Sequence, residues 1–150
     1  MGYAAKRIIN VFEDYYPIPA AVPFHNSGAR FLALGCGARS GKTYAAAHEF
    51  VKRILQDRFR KKGKLKYLVC DPTFTLTEIA ESEIREIMPE DSYKWNDVKK
   101  RMIIYPGKKQ ITIWFKSTDR PRNLRAEGLD GMWLDECAIM KEDAWQGQLF

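Results

Sequence analysis

The chain lacks the features that would place it in a membrane or an oxidising compartment. No apolar run approaches the roughly 18 residues that a spanning helix needs, and the start, Met1 to Lys6, leads into no secretory h-region. Lys6 also stands where a myristoylation signal wants Ser or Thr. A soluble, cytoplasmic protein is the expectation. Cysteine is scarce: Cys36, Cys70 and Cys137 are odd in number and form no CxxC pair, which argues against a disulfide framework or a zinc site. His25 and His48 have no ligand-like spacing to any of them. With only ten Gly and seven Pro, and 45% hydrophobic types, the chain is not disordered, collagenous or of low complexity. No internal repeat is visible.

Its 150 residues suffice for one domain with one core, and not for two. Acidic residues are outnumbered by 25 Lys and Arg to 19, giving a net charge of +6. A polyanion is a reasonable partner on that balance, without being established by it.

Residues 4–14 read as a short helix with Ala5, Ile8, Ile9 and Phe12 on one face. Pro17, Pro19 and Pro23 break it, and residues 31–36 form a short apolar run expected of a strand buried on both faces. From Lys42 the period becomes helical, through Ala46, Ala47, Phe50, Val51, Ile54 and Leu55, with Arg60 to Lys62 as a basic last turn and Gly63 as its cap. Tyr67 to Cys70 is a second strand. A second helix follows, with Thr75 and Glu78 as a capping box and Pro89 as its stop. Residues 102–105 and 111–115 predict a half-buried hairpin, because Ile111, Ile113 and Phe115 alternate with Thr112 and Trp114. Met132 to Leu134 is another strand, and a last helix begins near Lys141. This order predicts an α/β domain with a mostly parallel sheet flanked by helices, plus a β-hairpin. The apolar end at Leu149 and Phe150, with no stop signal, reads as that of a fragment, so an incomplete domain is expected.

Between the first strand and the first helix lies Gly35-Cys36-Gly37-Ala38-Arg39-Ser40-Gly41-Lys42-Thr43. In such a loop, backbone N–H groups turn inward around a phosphate and the helix N-terminus adds its unpaired donors. Lys42 would reach the β- and γ-phosphates, and Thr43 would offer a hydroxyl to Mg²⁺ arriving with the nucleotide. The strict pattern wants Gly where Cys36 stands, so it fails by one residue while Gly41-Lys42-Thr43 survives. Cys36 itself reads as a small buried residue, and Arg39 as a phosphate contact or switch.

A phosphate loop needs an acidic partner on a neighbouring strand, and Met132-Trp133-Leu134-Asp135-Glu136 supplies one. Asp135 is the candidate metal-side acid and Glu136 the candidate base for the attacking water. Asp71 could approach the same crevice, but reads more simply as a helix-leading acid. Asp130 reads as a loop end without chemistry. Of two basic stretches, Lys52 to Lys66 suits a solvated helix end, whereas Lys116, Arg120, Arg122 and Arg125 precede the acidic strand. The second set is the better candidate for nucleic acid, a neighbour's phosphate or an arginine finger.

Together these motifs resemble the large terminase subunits of tailed bacteriophages, the ATPases that pump DNA into a preformed capsid. Phe24, His25, Ser27, Arg30 and Phe31 match that family's lead into its first strand, although Ala21 stands where an adenine-contacting glutamine is usual. Residues 36–43 resemble its Cys-Gly-Arg-Arg-x-Gly-Lys-Thr loop, with Ala38 for the first arginine. Asp71-Pro72-Thr73-Phe74 resembles its Ala-Pro-Thr-aromatic turn, and Leu124-Arg125-Ala126 its Leu-Arg-Gly segment. Asp135-Glu136-Cys137-Ala138, then Met140 and Trp145, resemble its acidic strand end. The resemblance runs over nearly residues 17–150.

It implies a P-loop NTPase of the ASCE type, with residues 1–30 as lead-in and 31–150 as nucleotide-binding core of the N-terminal part of the ATPase domain. ATP and Mg²⁺ are its implied ligands, on Cys36, Gly37, Ala38, Arg39, Ser40, Gly41, Lys42 and Thr43, with Thr43 and Asp135 on the metal and Lys42, Arg39 and Glu136 in catalysis. Double-stranded DNA, a pentameric ring on the capsid portal and a small terminase subunit are the implied partners, in the host cytoplasm and without a membrane. A ribonuclease-H-type nuclease domain, usual in the family, is absent from this chain. A helicase-like ATPase, and a nucleotide- or DNA-binding module inactive alone, remain open as alternatives.

Overall fold

Lys42 opens the longest regular element for a local reason: Gly41 sits at φ 77°, in the left-handed region that a glycine enters without strain, and turns the chain into the helix. The computed structural model describes residues 12–104, 109–120, 124 and 128–144. The helix expected over residues 4–14 therefore lies almost wholly outside the described residues, and residues 12–14 form a turn. A 3-10 turn, Pro19–Ala21, leads into α1, Val22–Asn26, both with proline near the start where its missing N–H costs nothing. Helix α2 spans Lys42–Arg60, and its last-turn Arg58 and Arg60 suit the negative end of the helix dipole. It stops before the expected glycine cap: Lys61 is already extended, and Gly63, at φ 88°, makes the turn into the sheet.

The strands are β1, Leu65–Asp71; β2, Tyr93–Asn96; β3, Arg101–Ile104; β4, Ile111–Ser117; and β5, Gly131–Leu134. Helix α3, Phe74–Ile87, follows β1. Its cap is Thr73, whose hydroxyl accepts the Leu76 N–H, so the helix starts before the capping box expected at Thr75. Thr73 holds the extended backbone that a capping residue needs, and Thr75 is left inside the first turn. Helix α3 ends ahead of Pro89 as anticipated. A 3-10 turn, Cys137–Ile139, and a short helix α4, Glu142–Ala144, follow β5.

The strands form one sheet in the order β2-β3-β4-β1-β5. β1 runs parallel to β4 and β5, while β3 is antiparallel to β2 and β4. The expected hairpin is present as β3 and β4. Two expectations fail. The sheet is mixed rather than mostly parallel, because β2, unread in the sequence, extends the antiparallel side. And β4 is not half-buried: it is a central strand with β3 and β1 beside it, and both of its faces are covered.

A third expectation also fails, since residues 32–37 form no strand and Phe31 is exposed. An apolar run becomes a strand only when a neighbour takes up its backbone groups, and among the described residues none does so here.

Alternation divides the core between the sheet's faces. On one face Tyr67 and Val69 of β1, Ile111, Ile113 and Phe115 of β4, and Trp133 of β5 pack against Phe50, Val51 and Ile54 of α2 and Ala80 and Ile84 of α3. On the other face Leu68 and Cys70 meet Leu124 and Ala144. Each fully buried side chain of this size contributes roughly 1.5–3 kcal/mol against the entropy of ordering the chain. Among the described residues, no helix is long and apolar enough to cross a membrane.

Candidate functional site

Because β1, β4 and β5 run parallel, their carboxyl ends lie along one edge of the sheet, and the N-terminus of α2 meets that edge. Ala38 and Arg39 form the turn of the glycine-rich loop, with Arg39 at φ 57°. A non-glycine residue in that region is strained, and such strain is found preferentially at ligand-binding positions. Gly37, Ala38 and Arg39 are exposed, Cys36 is half-buried rather than buried, and the Ser40 hydroxyl oxygen is buried without a hydrogen-bond partner.

The first turn of α2 is tied directly to the end of β5. The Thr43 hydroxyl donates to Asp135 Oδ2 at 2.9 Å, and Lys42 Nζ lies 2.5 Å from Glu136 Oε1. The hydrogen bond to Glu136 holds the Lys42 ammonium above its ordinary range. Asp135 continues the ladder by donating its N–H to the Cys70 carbonyl. Glu136 then adopts φ 47° and starts the 3-10 turn. That reversal separates the two consecutive acids, so that one meets Thr43 and the other Lys42.

Asp71 is the residue whose role the sequence understates. It does not lead a helix, since Thr73 is the cap. The pairing of Cys70 with Leu134 brings it alongside Asp135 instead. It is fully buried, and neither carboxylate oxygen has a hydrogen-bond partner. Burial first, and then the charge of Asp135, push its pKa up to about 7. A strand-ending acid followed by proline was the only sequence signal.

With the geometry in view, comparison with known proteins identifies the chain. A family model described as the N-terminal part of the T4likevirus-type terminase large subunit matches residues 33–148. The chain belongs to that family. Large terminase subunits of Thermus phage G20c and Thermus virus P23-45 are each 28% identical over 149 residues, covering 87% of this chain and 30% of theirs. The chain thus spans under a third of the length of these relatives. The ATPase domain of the Thermus phage P74-26 large terminase superposes with a TM-score of 0.72 at 25% identity, over 91% of this chain and 61% of that one. The α/β fold is accordingly related to the terminase ATPase domain.

Family matches in the lead-in have structural work. His25 Nδ1 lies 3.0 Å from Glu49 Oε2 and its Nε2 2.8 Å from the Tyr15 hydroxyl, all in the interior. Arg53 donates to Glu49 and to the Ser27 and Ala29 carbonyls, and Lys52 to Glu49 and the His25 carbonyl. These bonds fasten the lead-in to α2, so Lys52 and Arg53 are not part of a free basic face. Ala21 is buried, and its methyl carries no hydrogen-bonding group. Asp130 has structural work too: its Oδ2 accepts the Lys66 N–H at 2.9 Å. Arg122 and Arg125 lie outside the described residues.

Proposed function

We propose that this chain is the ATP-hydrolysing motor part of a large terminase subunit, driving double-stranded DNA into a preformed capsid. The observation that carries this reading is the convergence of Lys42 and Thr43 on Glu136 and Asp135 in a chain of this family. Residues 31–150 act as the nucleotide-binding core, built on the phosphate loop and the acidic strand end of a P-loop ATPase, with residues 1–30 as its lead-in. A homo-oligomeric ring, a portal and a small terminase subunit are the partners this assignment brings.

The residues fit a nucleotide with its cation. Residues 36–43 offer the loop and its helix N-terminus to phosphates. Ser40 Oγ and the Asp71 oxygens are buried polar atoms still wanting partners, and the Thr43 hydroxyl and Asp135 carboxylate are already adjacent. Thr43 and Asp135 would hold Mg²⁺, which when bound neutralises phosphate charge.

Without nucleotide, Lys42 and Glu136 satisfy one another. Phosphate competes for the lysine, and its arrival releases Glu136 to accept a proton from the attacking water. Arg39, exposed on the loop, adds positive charge toward the phosphates.

Glu136→Gln in the full protein should retain Mg·ATP binding and slow hydrolysis by roughly 10²- to 10⁴-fold. Lys42→Ala should weaken binding instead, since it removes the charge aimed at phosphate. Wild-type turnover from Glu136→Gln would move the base elsewhere, with Asp71 the next candidate.

A further inference from the structure

A second concentration of positive charge lies one strand away from Asp71, at the carboxyl end of β4. Lys99, Lys100 and Arg120 line an open pocket of about 190 Å³ with Phe74, Phe115 and Ser117, and no carboxylate is among its lining residues. Lys116 borders it, but alternation along β4 turns its side chain to the opposite face. The sequence offers Lys116 and Arg120 as one basic stretch, and the fold adds two lysines from the turn between β2 and β3. The Lys100 carbonyl accepts the Phe115 N–H at 2.9 Å, which seats that turn over the end of β4. Lys100 has φ 42°, and the other two non-glycine residues with positive φ among the described ones are Arg39 and Glu136 of the nucleotide site. Its ammonium is also paired with Asp97, while Lys99 and Arg120 project from exposed positions.

An independent observation points to a ligand. Ser117 is 2% exposed, and its hydroxyl oxygen has no hydrogen-bond partner in this pocket wall. A buried hydroxyl in that condition is costly unless a group from outside completes it. At the rim, Val98 and Phe74 are exposed apolar groups able to lie against sugar faces.

We propose that this pocket binds a backbone phosphate of duplex DNA, at a site separate from the one that holds the nucleotide. Duplex DNA as the source of the phosphate rests on the motor reading above; the anion site rests on the pocket. Lys99 and Arg120 supply charge and Ser117 Oγ a hydrogen-bond donor. The Thr118 N–H donates to the Asp71 carbonyl at 2.9 Å, and Thr118 Oγ1 to the Pro72 carbonyl. The pocket floor is thus bonded to the strand end that carries Asp71. The other basic stretch is at the wrong end for this role, because Lys62 and Lys64 precede the start of β1. Seven residues of strand put them roughly 20 Å away.

The test is duplex-DNA affinity of the full protein, without nucleotide, as a function of salt. Lys99→Gln and Arg120→Gln should each weaken binding about eightfold at 0.1 M salt and lower the salt slope by about 0.9, independently of sequence. Ser117→Ala should weaken binding without changing the slope, because it removes no charge. Inorganic phosphate should compete with DNA in the wild type and less well in Lys99→Gln. Lys62→Gln and Lys64→Gln, made singly, are the charge-matched controls and should leave affinity nearly unchanged. Equal losses from control and pocket variants would overturn the site, as would unchanged affinity in Lys99→Gln. The two readings fail separately. A wild-type protein that binds duplex but does not hydrolyse ATP overturns the motor assignment alone, whereas Lys99→Gln with normal affinity and normal hydrolysis overturns the pocket alone.

Discussion

Asp71 ends β1 with its carboxyl group out of water and beside a second acid, with the Thr77 hydroxyl near enough to offset only part of that burden. A charged carboxylate is poorly accommodated there, which is why its pKa rises from 3.8 to about 7. The consequence for stability has a definite sign. In the unfolded chain Asp71 loses its proton near pH 4, while the folded chain keeps it until about pH 7. Stability from this group is full below pH 4 and is lost as pH rises through 7. Without nucleotide or divalent cation, Asp71→Asn should exceed the wild type in unfolding free energy by on the order of 2–4 kcal/mol at pH 8. The difference should shrink toward pH 4. Urea unfolding of both proteins across that range measures it, and a gap independent of pH would show that Asp71 is already charged in the folded state. The sequence could not announce this residue. Its burial comes from long-range pairing of β1 with β5, whereas Lys42, Thr43, Asp135 and Glu136 stand out as candidates from local patterns, a glycine-rich loop that opens a helix and an apolar strand that ends in two acids.

At the scale of elements, the strand that carries the acids is fitted closely to its neighbour. A Cβ placed on Gly131 would come 3.0 Å from Tyr67 Cε1 and 3.1 Å from Cδ1. The Tyr67 ring cannot readily swing away, because its hydroxyl donates to Asp57 at 2.8 Å and its edge packs on Phe50. Gly131→Ala should therefore shift β5, costing about 1–3 kcal/mol of stability. It should also slow ATP hydrolysis, through displacement of Asp135 from Thr43. The double variant with Tyr67→Leu relieves the contact and should recover part of both losses; strictly additive losses would mean that the contact is not the cause. The elements are unevenly legible in the sequence. Helices α2 and α3 followed from periodicity and stop signals. β2 is hard to see in the sequence because Tyr93-Lys94-Trp95-Asn96 is polar at alternate positions and only partly buried, and residues 31–36 mislead because an apolar run carries no information about a pairing partner.

Across the whole molecule, stability should be graded from the middle of the sheet to its β5 edge. β1 and β4 pair with neighbours on both sides and are buried on both faces, whereas β5 has four residues and, among the described residues, pairs with β1 alone. Residues 32–37 have no ladder partner among the described residues. The glycine-rich loop and the end of β5 thus have few backbone partners among the described residues, and they meet through the Thr43–Asp135 and Lys42–Glu136 pairs. Binding that uses both sides adds its own free energy to that junction, about 2.7 kcal/mol at a ligand concentration one hundred times Kd. Hydrogen exchange tests this. In the free protein, amides of β1 and β4 should exchange slowest, and those of residues 32–41 and 131–136 among the fastest of the core. Mg·ATP should slow exchange in both fast segments together, by up to about a hundredfold, while leaving the amides of α1 nearly unchanged. Protection of the phosphate loop without protection of β5 would mean that the nucleotide does not bridge the two. Asp135 and Glu136 would then have to be withdrawn from the site.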